Sequence, residues 1–384
     1  MNNFSFTTTK TLINAPGSLN DLATHCEALG VQRPLIVTDQ GIVGAGLLEQ
    51  LETVIKASNL AHAVYDQVVA DPAEAIVFAA LKVAKQHQAD GIIGFGGGSS
   101  MDTAKLIALL ARSEEKLEDI YGVDQVKGQR LPLMLIPTTA GTGSEVTAVA
   151  IITTGETTKA GVVSPVLLPD IALLDAELTR GLPPHVTAAT GIDAMVHAIE
   201  AYTSAHKKNP YSDMLAREAL RLMGANIVTA VKDGNNLEAR QNMLLGACLA
   251  GQAFANAPVA AVHALAYPLG GHFHIPHGLS NSLVLPHVLR FNAPHAAPLY
   301  AELCDILCPE VNLRTDADKT NALIGYLEKL IETVGLPSTL SEAGVTEASL
   351  TTLASDAMLQ QRLLINNPRE VTESDALAIY QAAF

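Results

Sequence analysis

The first half of the chain alternates short apolar runs with segments of helical periodicity. The apolar runs lie at 34–39, 61–66, 91–95 and 132–137, and the helical segments lie near 45–57, 73–88 and 100–112. Strands that alternate with helices in this way form βαβ units around a mostly parallel sheet. We therefore predict an α/β fold for this half.

The pattern changes at Leu182-Pro183-Pro184. Beyond that point apolar residues recur at helical spacing, at 213–232, 237–255, 317–334 and 373–383. A chain of 384 residues is also too long for one ordinary core. We predict an α/β nucleotide-binding domain over residues 1–180 and an all-helical, metal-binding domain over residues 181–384.

Composition and charge exclude several classes of protein. The net charge of −15 argues against binding a nucleic-acid backbone, which needs clustered Lys and Arg. No uninterrupted apolar run reaches the roughly 18 residues of a membrane-spanning helix. The N-terminal residues lack the basic start and apolar run of a signal peptide, so we expect a cytoplasmic protein. The four cysteines have no zinc or disulfide spacing and are expected to be buried.

Two loops rich in small residues follow predicted strands. Phe95–Asp102 contains three glycines and opens a helix, a pattern typical of a phosphate site. Pro137–Glu145 carries hydroxyls that could hold a ribose or diphosphate. Each loop alone has an alternative interpretation, a tight turn or a loop whose hydroxyls bond their own backbone. The first loop does not fit G-x-G-x-x-G, and Asp39, at the end of the first strong strand, is the better candidate for a ribose-binding acid. Together the two loops predict a nucleotide site.

A second group of residues predicts a metal site. Asp193 and His197 are four residues apart in a helical pattern, so they lie on one face. His263 and His277 follow in a segment almost empty of charge. One carboxylate and three imidazoles suit a divalent metal and Lewis-acid chemistry.

Spacing alone leaves the downstream ligands open. His272 and His274 precede His277 in one short segment, and His287 lies ten residues beyond it. The chain has 12 histidines, and a lone histidine is more often structural than a ligand.

Taken together, these segments resemble the iron-containing (group III) alcohol dehydrogenases, and the resemblance covers essentially the whole chain. The matching segments are 95–105, 137–147, 182–200 and 262–278. The resemblance implies a dehydroquinate synthase-like architecture with a Rossmann-like first domain. It also implies four metal ligands, Asp193, His197, His263 and His277. The expected metal is Fe²⁺, although this ligand set also accommodates Zn²⁺, Ni²⁺, Co²⁺ or Mn²⁺.

The resemblance further implies how NAD is bound. Asp39 would contact the adenosine ribose, which favours NAD because a carboxylate repels the 2′-phosphate of NADP. Gly97, Gly98 and Ser99 would hold the diphosphate, and Thr138, Thr139 and Thr142 would line the nicotinamide side. Asp102 and Lys159 are the remaining implied cofactor contacts.

Two positions depart from the family pattern. Tyr267 stands where many members carry a histidine suspected of relaying the alcohol proton. A neutral phenol is a poor proton acceptor, so we expect Tyr267 to shape the substrate pocket, with the proton leaving through water, the cofactor ribose, His272 or His274. The alternative is that Tyr267 is itself the relay. Asp71-Pro72 stands where Asn-Pro is common, and no cofactor contact is assigned to Asp71.

The expected activity is reversible hydride transfer between a small, neutral primary alcohol and NAD. Neutrality is favoured because neither 187–206 nor 241–289 contains Lys or Arg, although Arg362 or Arg369 could fold over the site. The rival interpretations are an enzyme of the dehydroquinate synthase type that uses NAD transiently and a non-catalytic nucleotide-binding protein. A homodimer or larger homo-oligomer is also expected, joined near Phe4–Ile13, which has the pattern of a strand without a local partner.

Overall fold

The computed structural model describes residues 3–58, 60–155 and 158–384, which form two compact units. The α/β unit comprises residues 7–139 and 143–181. The helical unit comprises 182–384 together with 140–142 and residues 3–6. The fold is therefore a parallel-sheet domain followed by a helical domain, with two short segments of the first half packed into the second unit.

The α/β unit is built on a parallel sheet with the strand order β1-β9-β6-β4-β2-β3. Its strands are β1 (Thr11–Asn14), β2 (Pro34–Asp39), β3 (Ala63–Val68), β4 (Gly91–Gly96), β6 (Leu133–Pro137) and β9 (Ile171–Leu174). A smaller sheet contains β5 (Gly122–Val123), β7 (Val149–Thr154) and β8 (Thr158–Val163), with β7 and β8 antiparallel. The four strands expected from the apolar runs are present, with shifted ends at Ala63–Val68.

Both faces of the main sheet are buried, because helices cover both of them. Successive residues of each strand point to opposite faces and so enter different cores. Ile36 packs in the core on one face, whereas Leu35 and Val37 pack in the core on the other. The helices of this unit are α1 (Leu22–Ala28), α2 (Gln40–Gly44), α3 (Leu47–Ala57), α4 (Glu74–His87) and α5 (Gly98–Arg112). Residues of α1 and α3 cover the first face, and residues of α4 and α5 cover the second.

Helix α5 packs closely on the sheet at Gly94. A Cβ there would lie 2.6 Å from Leu135 and 2.8 Å from Ala104 of α5. Glycine thus lets α5 approach β4 closely, which holds the start of that helix against the end of its strand.

The helical unit contains nine α-helices among the described residues. They are α6 (Pro184–Thr203), α7 (Pro210–Lys232), α8 (Leu237–Asn256), α9 (Ala261–Phe273), α10 (His277–Leu307), α11 (Asp316–Thr333), α12 (Leu350–Ala357), α13 (Gln361–Leu364) and α14 (Glu373–Ala383). Pro184 opens α6 at its first position, where the missing N–H costs no helical hydrogen bond. The Asn209 and Asn236 side chains cap α7 and α8.

Two segments differ from the sequence expectations. Helix α10 runs for 31 residues through Pro286, Pro294 and Pro298, so its periodicity was not visible in the sequence. The expected strand at Phe4–Ile13 is present only as Thr11–Asn14, and it pairs in parallel with β9, far away in the chain. Long-range pairing of this kind leaves no local sequence signal.

In the described residues no single helix is long and apolar enough to cross a membrane. One pair, α8 and α9, passes the same test of length and composition jointly but is bent by 106° between the two helices.

Candidate metal and cofactor sites

Helix α6 presents three acidic or imidazole side chains on one face. Asp193, His197 and Glu200 stand at positions i, i+4 and i+7, which bring them to the same side of a helix. All three are buried in the helical unit. Because a buried charge is costly without partners, this face predicts close polar neighbours.

Two further histidines complete the group. His263 comes from α9, and His277 is the first residue of α10. The Nε2 atoms of His197, His263 and His277 lie 4.0, 3.9 and 3.7 Å from Asp193 Oδ1. One ligand atom from each of the four residues lies within 4.8 Å of every other, so together they could hold a single metal ion.

Gly278 explains why α10 can bring His277 so near. A Cβ at this position would lie 2.3 Å from the Ala189 carbonyl oxygen and 3.3 Å from the Asp193 Cβ. Only glycine lets the start of α10 approach the backbone of α6 at this distance. The His-Gly pair is thus needed for the geometry of the cluster.

The charge states fit metal ligation. Burial, with smaller contributions from the neighbouring imidazoles, lowers the pKa of His197 to about 3, so its ring is neutral at neutral pH. Burial alone would raise the pKa of Asp193, but the three histidines and a hydrogen bond from Asn281 outweigh it and hold that pKa below its usual value. Neutral imidazoles and an ionised carboxylate are the forms that bind a divalent cation.

Glu200 fixes the orientation of His263. Its two oxygens accept the backbone N–H groups of Ala260 (3.0 Å) and Val262 (2.7 Å), and Oε2 lies 2.7 Å from His263 Nδ1. An ionised carboxylate can only accept, so Nδ1 donates and the Nε2 lone pair faces Asp193. A carboxylate behind a histidine in this way is the usual support of a metal-binding imidazole.

The structure also separates the other candidate histidines from this group. His272 is exposed, with Nε2 2.6 Å from Asp356 Oδ2, and His274 is exposed at the C-terminal end of α9. The His287 pKa is lowered mainly by burial, but neither His287 nor the other two belongs to the cluster. Of the candidates left open by spacing, the structure brings His277 to Asp193.

The donor set and its access suit a catalytic cation. The side chain of His277 is 36% exposed, whereas the other three ligand side chains are almost fully buried. Four nitrogen and oxygen donors that are open on one side could hold a divalent metal and leave a position for a substrate oxygen.

In the α/β unit the glycine loop joins β4 to α5. Gly97 is extended, Gly98 begins the helix, and Gly97, Gly98 and Ser99 are partly accessible. The first N–H groups of a helix lack intrahelical partners and favour an anion. This turn could therefore hold a phosphate group.

Asp39 lies beside that loop, at the carboxyl end of β2. Its Oδ1 caps α2 by accepting from Gly41 N (2.9 Å) and Ile42 N (3.1 Å). Its Oδ2 accepts from the Ser100 hydroxyl (3.0 Å). The predicted ribose-binding acid and the predicted diphosphate loop therefore share one edge of the sheet.

The threonine loop follows β6, the neighbouring strand. Thr138 N donates to the Gly96 carbonyl (3.1 Å), and a Cβ on Gly97 would lie 3.8 Å from Thr139 Oγ1. Thr138 is buried, and within the described ranges its hydroxyl has no hydrogen-bond partner. This hydroxyl is therefore available to bond a ligand at this edge of the sheet. Thr142, further along the same loop, packs with the helical unit.

The last two predicted cofactor residues already bind protein groups. Asp102 accepts from the Ser144 hydroxyl (2.6 Å), Lys105 Nζ (3.2 Å) and Ile151 N (3.0 Å). Lys159 Nζ lies 2.5 Å from Asp71 Oδ1. Their contact with a cofactor stays a prediction.

Comparisons with known proteins identify the family of the chain. Residues 9–176 match the family described as iron-containing alcohol dehydrogenase, and residues 187–384 match its C-terminal part, described as Fe-containing alcohol dehydrogenase family, C-terminal. The chain belongs to the iron-containing alcohol dehydrogenase family. It is therefore an alcohol oxidoreductase.

Similar proteins share nearly the full length of this iron-containing alcohol dehydrogenase. Long-chain-alcohol dehydrogenase 1 of Geobacillus thermodenitrificans is 40% identical over 96% of this chain and 93% of its own. A crystal structure of 1,3-propanediol oxidoreductase superposes with a TM-score of 0.96 at 33% identity and covers 100% of both chains. Sulfoacetaldehyde reductase from Bifidobacterium kashiwanohense, solved in complex with NAD⁺, gives a TM-score of 0.89 at 28% identity, covering 100% of this chain and 99% of the other.

Three residues at the metal site of this alcohol dehydrogenase were not predicted from sequence. Glu200 supports His263, Asn281 contacts Asp193, and Phe254 stacks on His197 with ring centroids 4.4 Å apart. Helical spacing from the predicted ligands could have found the first two, since Glu200 lies seven residues after Asp193 and Asn281 four after His277. Nothing in the sequence singles out Phe254.

Tyr267, the departure from the family pattern, lies beside the metal cluster. It follows His263 by one turn of α9, and its ring centroid is 5.8 Å from that of His277, tilted by 44°. Since His277 is the accessible ligand, Tyr267 lies on the side from which a substrate could approach.

Proposed function

We propose that this iron-containing alcohol dehydrogenase catalyses reversible, NAD-linked oxidation of a small, neutral primary alcohol to the aldehyde. The observation that carries the proposal is the convergence of Asp193, His197, His263 and His277, whose ligand atoms lie within 4.8 Å of one another. Membership of the family supplies the reaction class.

These four residues would hold one divalent cation, with Fe²⁺ the first candidate. When bound, the cation lowers the pKa of an alcohol hydroxyl and polarises the corresponding carbonyl. Glu200 keeps the His263 lone pair directed at the site, and burial keeps His197 neutral. The accessible side at His277 admits the substrate oxygen.

The cofactor contacts follow from the two loops of the α/β unit. NAD held there would supply the hydride acceptor for alcohol oxidation. The amides of Gly97, Gly98 and Ser99 bind the diphosphate, which the N-terminus of α5 favours electrostatically. Asp39 accepts from the adenosine ribose, and the Thr138 hydroxyl, which has no partner in the part of the chain that the structure describes, is available to the nicotinamide half. Thr139, Thr142, Asp102 and Lys159 complete the proposed set.

The proposed substrate is neutral and of modest size. Aromatic rings flank the imidazole cluster on two sides, Phe254 stacked on His197 and Tyr267 next to His277. Arg369 is one of the two basic residues that could have folded over the site. Its guanidinium carbon lies 3.9 Å from the centroid of the Phe291 ring, and the guanidinium donates to the Phe291 carbonyl. Aromatic walls, together with an Arg369 guanidinium that is engaged by Phe291, favour an uncharged alcohol.

We further propose that the active form is a homodimer or larger homo-oligomer. Phe4 and Phe6 pack on Tyr211, with ring centroids 5.8 and 5.5 Å apart, yet Phe4, Tyr211 and Met214 remain exposed. A second copy of the chain would cover this apolar patch. Sedimentation velocity at micromolar concentration is expected to show an oligomer, and a stable monomer would contradict this assignment.

The activity is tested with metal-free protein reconstituted separately with Fe²⁺, Zn²⁺, Co²⁺, Ni²⁺ and Mn²⁺. Each form is assayed with NAD and a panel of primary alcohols of increasing length, including diols. Net accumulation of NADH is expected with at least one metal and none in its absence. Turnover of a substrate without net NADH would instead indicate an enzyme that uses NAD transiently.

A further inference from the structure

Asn281 makes close contacts inside the metal-ligand cluster. It lies on α10, one helical turn after His277, and is fully buried. Its amide nitrogen Nδ2 is 2.5 Å from Asp193 Oδ1 and 3.3 Å from the Nε2 atoms of both His263 and His277. One neutral side chain therefore touches three of the four proposed ligand atoms.

The surroundings determine which end of the amide faces the cluster. Asp193 Oδ1 is a carboxylate oxygen, which accepts hydrogen bonds, and His263 Nε2 carries a lone pair because its Nδ1 donates to Glu200. Turning the amide over would bring its oxygen to within 2.5 Å of the carboxylate oxygen, an unfavourable contact between two acceptors. The N–H groups therefore point at the ligand atoms, and within the described residues the opposite oxygen has no hydrogen-bond partner.

This orientation gives Asn281 an electrostatic role. Acceptor atoms that converge on one point repel one another unless positive charge or N–H donors lie between them. The two amide N–H groups supply such donors at the side of the cluster. Strong anchoring of the Asp193 carboxylate also selects which of its oxygens faces the imidazoles.

We propose that Asn281 is a positioning residue that preassembles the metal site, by holding Asp193 Oδ1 and the Nε2 atoms of His263 and His277 in a convergent arrangement. Asn281 acts through the ligands and is not itself a ligand. The inference rests on the proposed function, because it requires that the cluster binds a divalent cation.

The test compares Asn281→Leu, which has a similar shape but no donor, with Ser282→Ala as a matched control. Ser282 is the next residue on α10, is buried, and its hydroxyl has no partner among the described residues. Co²⁺ affinity and dissociation rate are measured by competition with a chromogenic chelator. Loss of an outer partner typically weakens metal binding by about 10- to 100-fold, and this loss is expected for Asn281→Leu but not for Ser282→Ala.

The visible spectrum of the Co²⁺-saturated protein separates positioning from ligation. Its d–d bands report the number and geometry of the ligands. The band intensity at saturation should be the same in wild type and Asn281→Leu, because the same four ligands remain. A changed intensity that indicates one ligand fewer would overturn the proposal and make Asn281 a ligand.

Two further outcomes are decisive. Wild-type affinity in Asn281→Leu would overturn the inference while leaving the proposed metal function intact. A wild-type protein that binds no Co²⁺ would remove the proposed function and this inference together. If Asn281→Leu fails to fold by circular dichroism, Asn281→Ala is used instead, with the same expected loss of affinity.

Discussion

The metal-ligand cluster of the helical unit and the cofactor loops of the α/β unit hold their functional groups in different ways: neighbouring side chains support the cluster, whereas backbone amides and hydroxyls line the loops. In the cluster, Glu200 supports His263 and Asn281 contacts Asp193 inside a buried site. In the loops, the Thr138 hydroxyl has no partner in the described part of the chain, and the start of α5 is partly accessible. Protein side chains hold the cluster together, whereas the loops present backbone amides and a hydroxyl that could bind a ligand.

This contrast suggests different sensitivities to substitution. A buried site built from mutually supporting side chains loses its function when one ligand is removed. A loop that binds through backbone amides and the N-terminus of a helix depends less on any single side chain. Substitution of a single side chain should therefore reduce activity strongly in the cluster of the helical unit and only partly in the loops of the α/β unit.

The largest effect is expected for His277→Ala. Removal of a direct ligand should weaken metal binding by more than about a hundredfold, the upper end for losing an outer partner, and reduce alcohol oxidation to background. His274→Ala is the matched control for metal content, since His274 lies three residues away but outside the cluster. Metal content by mass spectrometry and NADH formation provide the measurements. Retained metal and activity in His277→Ala, with loss in His274→Ala, would show that the ligands are assigned wrongly.

A second prediction concerns stability rather than ligand binding in the α/β unit. Burial would raise the pKa of Asp170, but hydrogen bonds from Arg130, Lys10 and Leu133 N lower it to about 2. Because the folded pKa lies below the unfolded value near 3.9, the stabilisation is present above about pH 4 and disappears as the pH falls to about 2. Its size is on the order of 2 kcal/mol.

Denaturant unfolding between pH 2 and 6 tests this. The free energy of unfolding of the wild type should fall by this amount between about pH 4 and pH 2. Asp170→Asn should have a lower free energy of unfolding at pH 6, and that free energy should change less with pH. Parallel curves for the two proteins would show that Asp170 does not have the depressed pKa.

A smaller effect, on the preference between the two cofactors, is expected when Asp39 is substituted. Removing its negative charge should improve the use of NADP relative to NAD by about tenfold or more, equivalent to ~1.4 kcal/mol. Asp39→Asn is the sharper variant, because asparagine can still cap α2, while Asp39→Gly also removes the cap. The ratio of kcat/KM values for the two cofactors is the readout. A wild-type enzyme that already prefers NADP would contradict the assignment of Asp39.

The smallest effect is expected for Tyr267→Phe. If Tyr267 shapes the pocket, removing only its hydroxyl should leave kcat near the wild-type value and shift KM among alcohols of different length. A fall in kcat of about a hundredfold, the scale of general acid–base catalysis, would instead make the phenol the proton relay. The pH dependence of kcat is measured in both proteins, since it should differ between them only if the phenol is the proton relay.

The sequence indicates the local features of both units well. The strand at 34–39 and the helix at 100–112 are visible because their periodicity repeats over consecutive residues. Helix α10 was not visible, since three prolines interrupt its pattern and its stability depends on packing against α6, α9 and α11. Strand β1 was misjudged in length because its partner β9 lies about 160 residues away.

The residues of the candidate site likewise divide into those that the sequence indicates and those that only the structure brings together. The sequence by itself determined the contiguous elements, the glycine loop after a strand and the Asp193–His197 pair on one helical face, because residues close in the chain obey fixed local geometry. Only the tertiary structure decided that His277, and not His272, His274 or His287, reaches Asp193. It also decided that Glu200 and Asn281 support the ligands. These choices depend on how α9 and α10 pack against α6, and the close approach at Gly278 is set by contacts between residues roughly 90 positions apart, which no local pattern encodes.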